Sequence, residues 1–166
     1  DASTDDTESV VMEYQDGRIR YHRNQINVGL YANWNHGISL ARGEYVAIYH
    51  DHDIYLPTIV ERSVELLERY PTTSFVHTGL LLINDGNHPV GIDIRTFPEM
   101  LPGKEVRKLI SSEWHSPIMA ATAMVRRSAY ERVGLYQFEK YGLGCDLHMW
   151  FELCGVGDMA YIPDPQ

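Results

Sequence analysis

Apolar and polar positions along the chain fall into alternating strand-like and helix-like stretches. Residues 18–22, Arg-Ile-Arg-Tyr-His, alternate in character and predict a short strand. Leu30, Trp34, Ile38 and Ala41 then recur at three- and four-residue spacing, which predicts a helix with Asn27 in the capping place and Gly43 at its end. Residues 44–50, Glu-Tyr-Val-Ala-Ile-Tyr-His, show little alternation and predict a strand covered on both faces, the mark of a parallel sheet. Pro57 opens a second helix with a buried stripe of Val60, Val64 and Leu67, and Pro71 ends it. Residues 74–83 predict a third strand running into a turn at 84–87, Asn-Asp-Gly-Asn. This βαβαβ order predicts an α/β fold with strands 44–50 and 74–83 side by side and parallel, the helices packed on the sheet faces.

The pattern weakens over residues 90–117, where Pro98, Pro102 and Pro117 interrupt it around one helical candidate at 104–111. It returns as a strand at 120–125, helices at 127–133 and 146–153, and a short strand at 160–162. With 166 residues, 44% hydrophobic and 22% charged, the chain has the composition of one globular domain and not of a disordered one. A formal charge of −9 and the absence of a basic stripe argue against nucleic acid as a partner. No uncharged apolar run reaches the length of about 18 residues that a membrane span needs, and the first ten residues are too acidic for a signal peptide. Cys145 and Cys154 stand nine apart and match neither a disulfide framework nor a Cys-x-x-Cys motif, so two reduced thiols in a cytoplasmic protein are expected.

The densest group of chemically active residues is His50-Asp51-His52-Asp53, at the end of the best strand candidate, where open α/β sheets collect ligands. If the strand continued, Asp51 and Asp53 would project to one side and the two histidines to the other. Carboxylates with or without an imidazole there could hold a divalent ion whose open positions suit diphosphate oxygens. A second acidic stretch, Asp1-Ala-Ser-Thr-Asp-Asp-Thr-Glu8, contains a capping segment at 4–7 ahead of a possible helix. Asp146 opens the helix of Gly144-Cys-Asp-Leu-His-Met-Trp150, where a carboxylate complements the helix dipole. His115, in the loop 111–117, is a candidate donor in an active site.

Taken in order, these segments resemble the family 2 glycosyltransferases of the GT-A fold. Asp1-Ala-Ser-Thr-Asp-Asp-Thr resembles the acidic turn after that family's second strand. Asn27-Val-Gly29 through Ala41-Arg-Gly-Glu-Tyr45 resembles its Asn-x-Gly and Ala-x-Gly-Glu-Tyr segment, and Asp51-His-Asp-Ile-Tyr-Leu-Pro57 its Asp-x-Asp segment. Met124-Val-Arg-Arg-Ser-Ala-Tyr-Glu-Arg-Val-Gly134 and Asp146-Leu-His-Met-Trp150 resemble its second half.

The resemblance implies a GT-A-like, mainly parallel sheet flanked by helices, with a nucleotide-sugar and metal part at 1–89 and an acceptor and base part at 90–166. It implies transfer of a sugar, with inversion, from a nucleotide-diphosphate-sugar donor to a glycan or lipid-linked acceptor at the inner face of a membrane. Asp1, Ser3, Asp51 and His52 would contact the donor. Asp51, His52 and Asp53 are the candidate ligands of Mn²⁺ or Mg²⁺, Asp146 is the base, and His115 and Trp150 face the acceptor.

Three departures stand out. The chain starts at the acidic turn, without the family's opening strand and helix, as a truncated domain would. Cys145 occupies the place of an acidic neighbour of the base, and Glu152 that of an arginine. His52 falls where one metal-binding aspartate often lies. Two other readings compete. One is a metal-dependent phosphohydrolase built on residues 50–53, drawing further ligands from His77, His88, His115 or His148. The other is a domain of the same fold that only binds sugar or a partner.

Overall fold

The computed structural model describes residues 1–113 and 116–166. The chain divides into two compact units, Asp1–Leu40 and Ala41–Gln166.

The first unit contains helix α1 (Thr7–Glu13) and helix α2 (Leu30–Leu40). Asp5 starts α1 from outside: its carboxylate accepts from the Thr7 amide at 3.1 Å and the Thr7 hydroxyl at 2.5 Å, which holds its pKa below the ordinary value. The N-cap residue Asp6 makes no side-chain cap bond itself, so of the capping expected at 4–7 only this contact from Asp5, one residue outside the cap, is present. Before α2, the Asn27 side chain accepts from the Gly29 amide at 2.9 Å, and Gly29 sits at φ 83, a conformation glycine adopts without strain. Residues 18–22 are irregular and not a strand, because a strand needs a neighbour to complete its ladder and none pairs with this segment. On α2 only Ile38 is buried, and Leu30 lies exposed.

The second unit runs β1 (Tyr45–Ala47), α3 (Ile59–Arg69), β2 (Thr73–Thr78), β3 (Leu80–Ile83), β4 (Pro89–Asp93), β5 (Met100–Leu101), α4 (Gly103–Glu113), β6 (Met124–Arg126), α5 (Arg127–Val133), α6 (Phe138–Tyr141), α7 (Cys145–Val156) and β7 (Asp158–Ile162). Its main sheet has the order β1-β6-β2-β7-β5, with β2 and β7 parallel and the other pairs antiparallel. The fold is α/β and GT-A-like, with a mixed sheet. Strands β1 and β2 point the same way, as their apolar sequences predict, yet they are not neighbours. The short β6 lies between them and pairs with both.

The expected strand 74–83 breaks at Gly79. A Cβ there would collide with the Pro163 carbonyl, and the Gly79 amide instead donates to Ile162 at 2.8 Å. Strand β3 then leaves the sheet and forms a separate ribbon with β4. The 84–87 turn forms as expected, with the Asn84 side chain accepting from the Gly86 and His88 amides and Asn87 at φ 58.

On one face of the sheet, Leu66 and Leu67 of α3 pack with Val76, Met124, Ala160 and Ile162. On the other, Trp150 of α7 lies 5.2 Å from the Phe75 ring, and the Ser74 hydroxyl donates to the Leu153 carbonyl at 2.9 Å. The buried stripe of α3 is Ile59, Ser63, Leu66 and Leu67; of the predicted Val60, Val64 and Leu67, Leu67 is buried and Val64 packs against the core, whereas Val60 is half exposed. Burying the adjacent Leu66 and Leu67 together fixes that phase. Accordingly, Leu67→Ala should cost about 2–5 kcal/mol of stability and Val60→Ala no more than about 0.5 kcal/mol, read from urea unfolding midpoints at constant m. Equal losses would place the buried face wrongly.

Candidate active site

Beyond β1 the chain does not continue as a strand. The Asp53 amide donates to the His50 carbonyl at 3.4 Å, closing a turn over residues 51–52. The expected separation of aspartates from histidines therefore fails, and His50, His52 and Asp53 come together, each offering one ligand atom within 4.8 Å of the others. His50 Nδ1 lies 3.6 Å from Asp53 Oδ2, and the two imidazole rings are 5.6 Å apart. Asp51 stays outside this group with its side chain fully exposed, its Oδ1 3.2 Å from His52 Nδ1. The Tyr55 hydroxyl accepts from the His50 amide at 2.8 Å and donates to Asp53 Oδ2 at 3.3 Å. Burial, opposed by that amide and assisted by Asp53, raises the Tyr55 pKa and keeps the hydroxyl a donor. Sequence reasoning did not identify Tyr55 as the support of this turn, although it stands two residues after Asp53.

Asp146 occupies the first turn of α7, its Oδ1 accepting from the Leu147 amide at 2.7 Å. Nearby, the buried Tyr136 hydroxyl is held neutral, first by burial and then by Tyr130 and the charge of Asp146. His148, one half-turn on, stacks at 3.9 Å on Tyr141. Trp150 does not face an acceptor: it is buried against Phe75, which leaves no ring face for a ligand. Cys145 and Cys154 are both buried, and burial pushes the Cys154 thiol up to about 12, so it is unreactive. His115 lies outside the described residues.

In the first unit, the Asp1 carboxylate accepts from the Val28 and Gly29 amides at 3.1 Å and from Asn24 Nδ2 at 3.0 Å. Asn24 also bonds His36 at 2.8 Å and Asn33 at 2.9 Å, so Asp1 anchors the Asn27-Val-Gly29 turn through a network that sequence reasoning missed. Asn24 carries no motif that would single it out. The Ser3 amide donates to the Asp1 carbonyl at 2.9 Å. Among the described residues His77, His88 and His148 do not join the His50 cluster. No helix of the described residues is long and apolar enough to cross a membrane.

Comparison with known proteins agrees with this architecture. The family model described as glycosyl transferase family 2 matches residues 1–134. A Bacillus subtilis protein carrying the glycosyltransferase name EpsE is 30% identical over 97% of this chain and 56% of its own length. An uncharacterised glycosyltransferase of Methanocaldococcus jannaschii is 28% identical over 75% of this chain and 43% of its own, and one of Rickettsia typhi is 26% identical over 97% and 49%. The chain belongs to glycosyl transferase family 2. It spans about half the length of the curated relatives it matches.

One buried group of this unit has a measurable pH signature. His77 on β2 is 1% exposed, between the rings of Tyr161 and Phe97, with neither ring nitrogen hydrogen-bonded. Burial, helped by the charge of Arg95, lowers its pKa from 6.5 to about 3. In the unfolded chain it takes up a proton below about 6.5, so the folded state loses stability as pH falls from there towards 3, by up to about 1.4 kcal/mol per pH unit. The stability of the wild type relative to His77→Phe should therefore decline between pH 6 and pH 4 in urea unfolding. Parallel curves would show that His77 is solvated.

Proposed function

We propose that this chain forms the catalytic part of a glycosyltransferase that moves a sugar from a nucleotide-diphosphate donor to an acceptor hydroxyl, with inversion at the anomeric carbon. The observation that carries this reading is the His50, His52 and Asp53 cluster at the carboxyl end of β1, in a chain of the glycosyl transferase 2 family. Those three side chains would hold a divalent cation. When bound, such an ion supplies positive charge opposite the diphosphate leaving group.

Asp146 accepts the proton of the acceptor hydroxyl as its oxygen attacks the anomeric carbon. The new C–O bond forms on one face while the bond to the diphosphate oxygen breaks on the other, and its electron pair leaves with the diphosphate. A single base suffices for this direct displacement. The neutral Tyr136 hydroxyl beside Asp146 contributes a low-dielectric wall without a competing charge. Asp1 shapes the 27–29 turn and, with Ser3, belongs to the nucleotide side. The acceptor is a glycan or a lipid-linked sugar. Two buried cysteines outside any disulfide framework suit a reducing compartment such as the cytoplasm, and access to a lipid-linked acceptor would place the enzyme at the inner membrane face.

Cys145 in place of an acidic neighbour favours a second reading, a domain that binds sugar without turnover. Two measurements on the full-length protein separate the readings. Calorimetric titration of a nucleoside diphosphate should show binding that requires a divalent cation and is lost in chelator, whereas equal binding in chelator contradicts the metal-assisted mechanism. Asp146→Asn keeps the shape of the base but not its proton-accepting oxygen. Turnover should fall by roughly 10²–10⁴-fold with donor affinity nearly unchanged. Near-native turnover would reduce Asp146 to a residue of the helix terminus, and no turnover in the wild type would favour the binding domain.

A further inference from the structure

We infer that the cation site is a two-imidazole, one-carboxylate site of His50, His52 and Asp53, oriented by Asp51 and Tyr55, and that it selects a borderline transition ion such as Co²⁺ or Zn²⁺ over Mg²⁺. The inference rests on the metal-assisted reading for its purpose, whereas the donor set stands on geometry alone. Ligands of one such ion, about 2.0–2.2 Å from it, lie roughly 3–4.5 Å from one another. The observed ligand atoms all lie within 4.8 Å of one another, close to the upper end of that range.

Each candidate ligand has a support. Asp51 Oδ1 lies 3.2 Å from His52 Nδ1, the carboxylate–imidazole contact that orients metal-binding histidines. The Tyr55 hydroxyl holds Asp53 Oδ2 at 3.3 Å and is itself fixed by the His50 amide at 2.8 Å. The two aspartates thus differ in role: Asp53 faces the imidazoles, and Asp51 points to solvent and steadies His52.

Donor chemistry then decides the ion. Carboxylate and water oxygens suit Mg²⁺, whereas imidazole nitrogens suit the later first-row ions. A set with two imidazoles loses little when Co²⁺ or Zn²⁺ replaces Mg²⁺ and gains two nitrogen bonds that Mg²⁺ makes poorly. Three protein ligands also leave positions open for diphosphate oxygens.

The test is metal binding by the chelator-dialysed full-length protein. Calorimetry with CoCl₂, ZnCl₂ and MgCl₂ should give Co²⁺ and Zn²⁺ affinities at least about tenfold above that of Mg²⁺. Because many sites favour later ions, the variants carry the decision. His50→Ala and His52→Ala should each weaken Co²⁺ at least about tenfold and change its visible absorption, leaving Mg²⁺ affinity within about twofold. Asp51→Asn should weaken Co²⁺ without changing its spectrum, the mark of a positioning residue. Circular dichroism of each variant checks that the fold is kept.

Mg²⁺ bound as tightly as Co²⁺, or imidazole variants with wild-type Co²⁺ affinity and spectrum, would overturn the inference. Co²⁺ bound through imidazole without sugar transfer would leave this site standing and remove the transferase reading. Transfer with Mg²⁺ unaffected by His50→Ala and His52→Ala would do the reverse.

Discussion

Strand β6 lies antiparallel between β1 and β2, and the position of the turn at residues 50–53 depends on it. Among the described residues β1 pairs with no other strand, so its buried amides and carbonyls find their ladder there: Tyr45 opposite Arg126, Val46 opposite Val125, Ala47 opposite Met124. Arg126 reinforces the insertion. Its Nε donates to the Thr73 carbonyl at 2.8 Å, another guanidinium nitrogen to the Leu67 carbonyl, and Nη1 to the Tyr45 hydroxyl at 3.3 Å. One side chain thereby joins β1, β2 and the end of α3, and the Arg127 amide adds a bond to the Glu44 carbonyl at 2.8 Å. Since β1 has only three residues, the His50–Asp53 turn beyond it is located by a strand nearly eighty positions away in sequence.

That distance explains what the sequence could and could not reveal. Helix α5 at Arg127–Val133, the 84–87 turn and the start of α7 next to Asp146 are encoded by local spacing, by Asn and Gly at fixed places, and by helix-terminal preferences, and the structure agrees with each. The order of strands is not local. Nothing in Met-Val-Arg at 124–126 says which two strands will flank it, and the rule that successive strands are neighbours pointed instead to β1 beside β2. The break at Gly79 is likewise set by a carbonyl of Pro163, a contact invisible until the chain returns to it.

The candidate site was legible in part. A polar run after a buried strand marked residues 50–53, because the end of a strand is where side chains escape the core, and three of those four side chains lie together. Which of them converge was misjudged, since strand alternation was extended through residues that the bond from Asp53 to the His50 carbonyl bends into a turn. The resemblance implied that Trp150 faces an acceptor, but on α7 its position turns it towards Phe75 and the core.

The charge balance of the larger unit gives the imidazoles a further consequence. Many of its cations are already engaged by its own carboxylates: Arg62 with Asp164, Arg69 with Glu65 and Glu99, Arg95 with Asp93, Lys108 with Glu105, and Arg127 with Glu131. On the proposed reading, a diphosphate approaching a chain of net charge −9 would gain from any positive charge that the 50–53 turn can hold. A divalent ion held by two carboxylates is neutralised by its ligands. Held by one carboxylate and two neutral imidazoles, it keeps a net positive charge to direct at the leaving group. On the proposed reading, histidine at positions 50 and 52 would thus change the field at the diphosphate as well as the choice of ion.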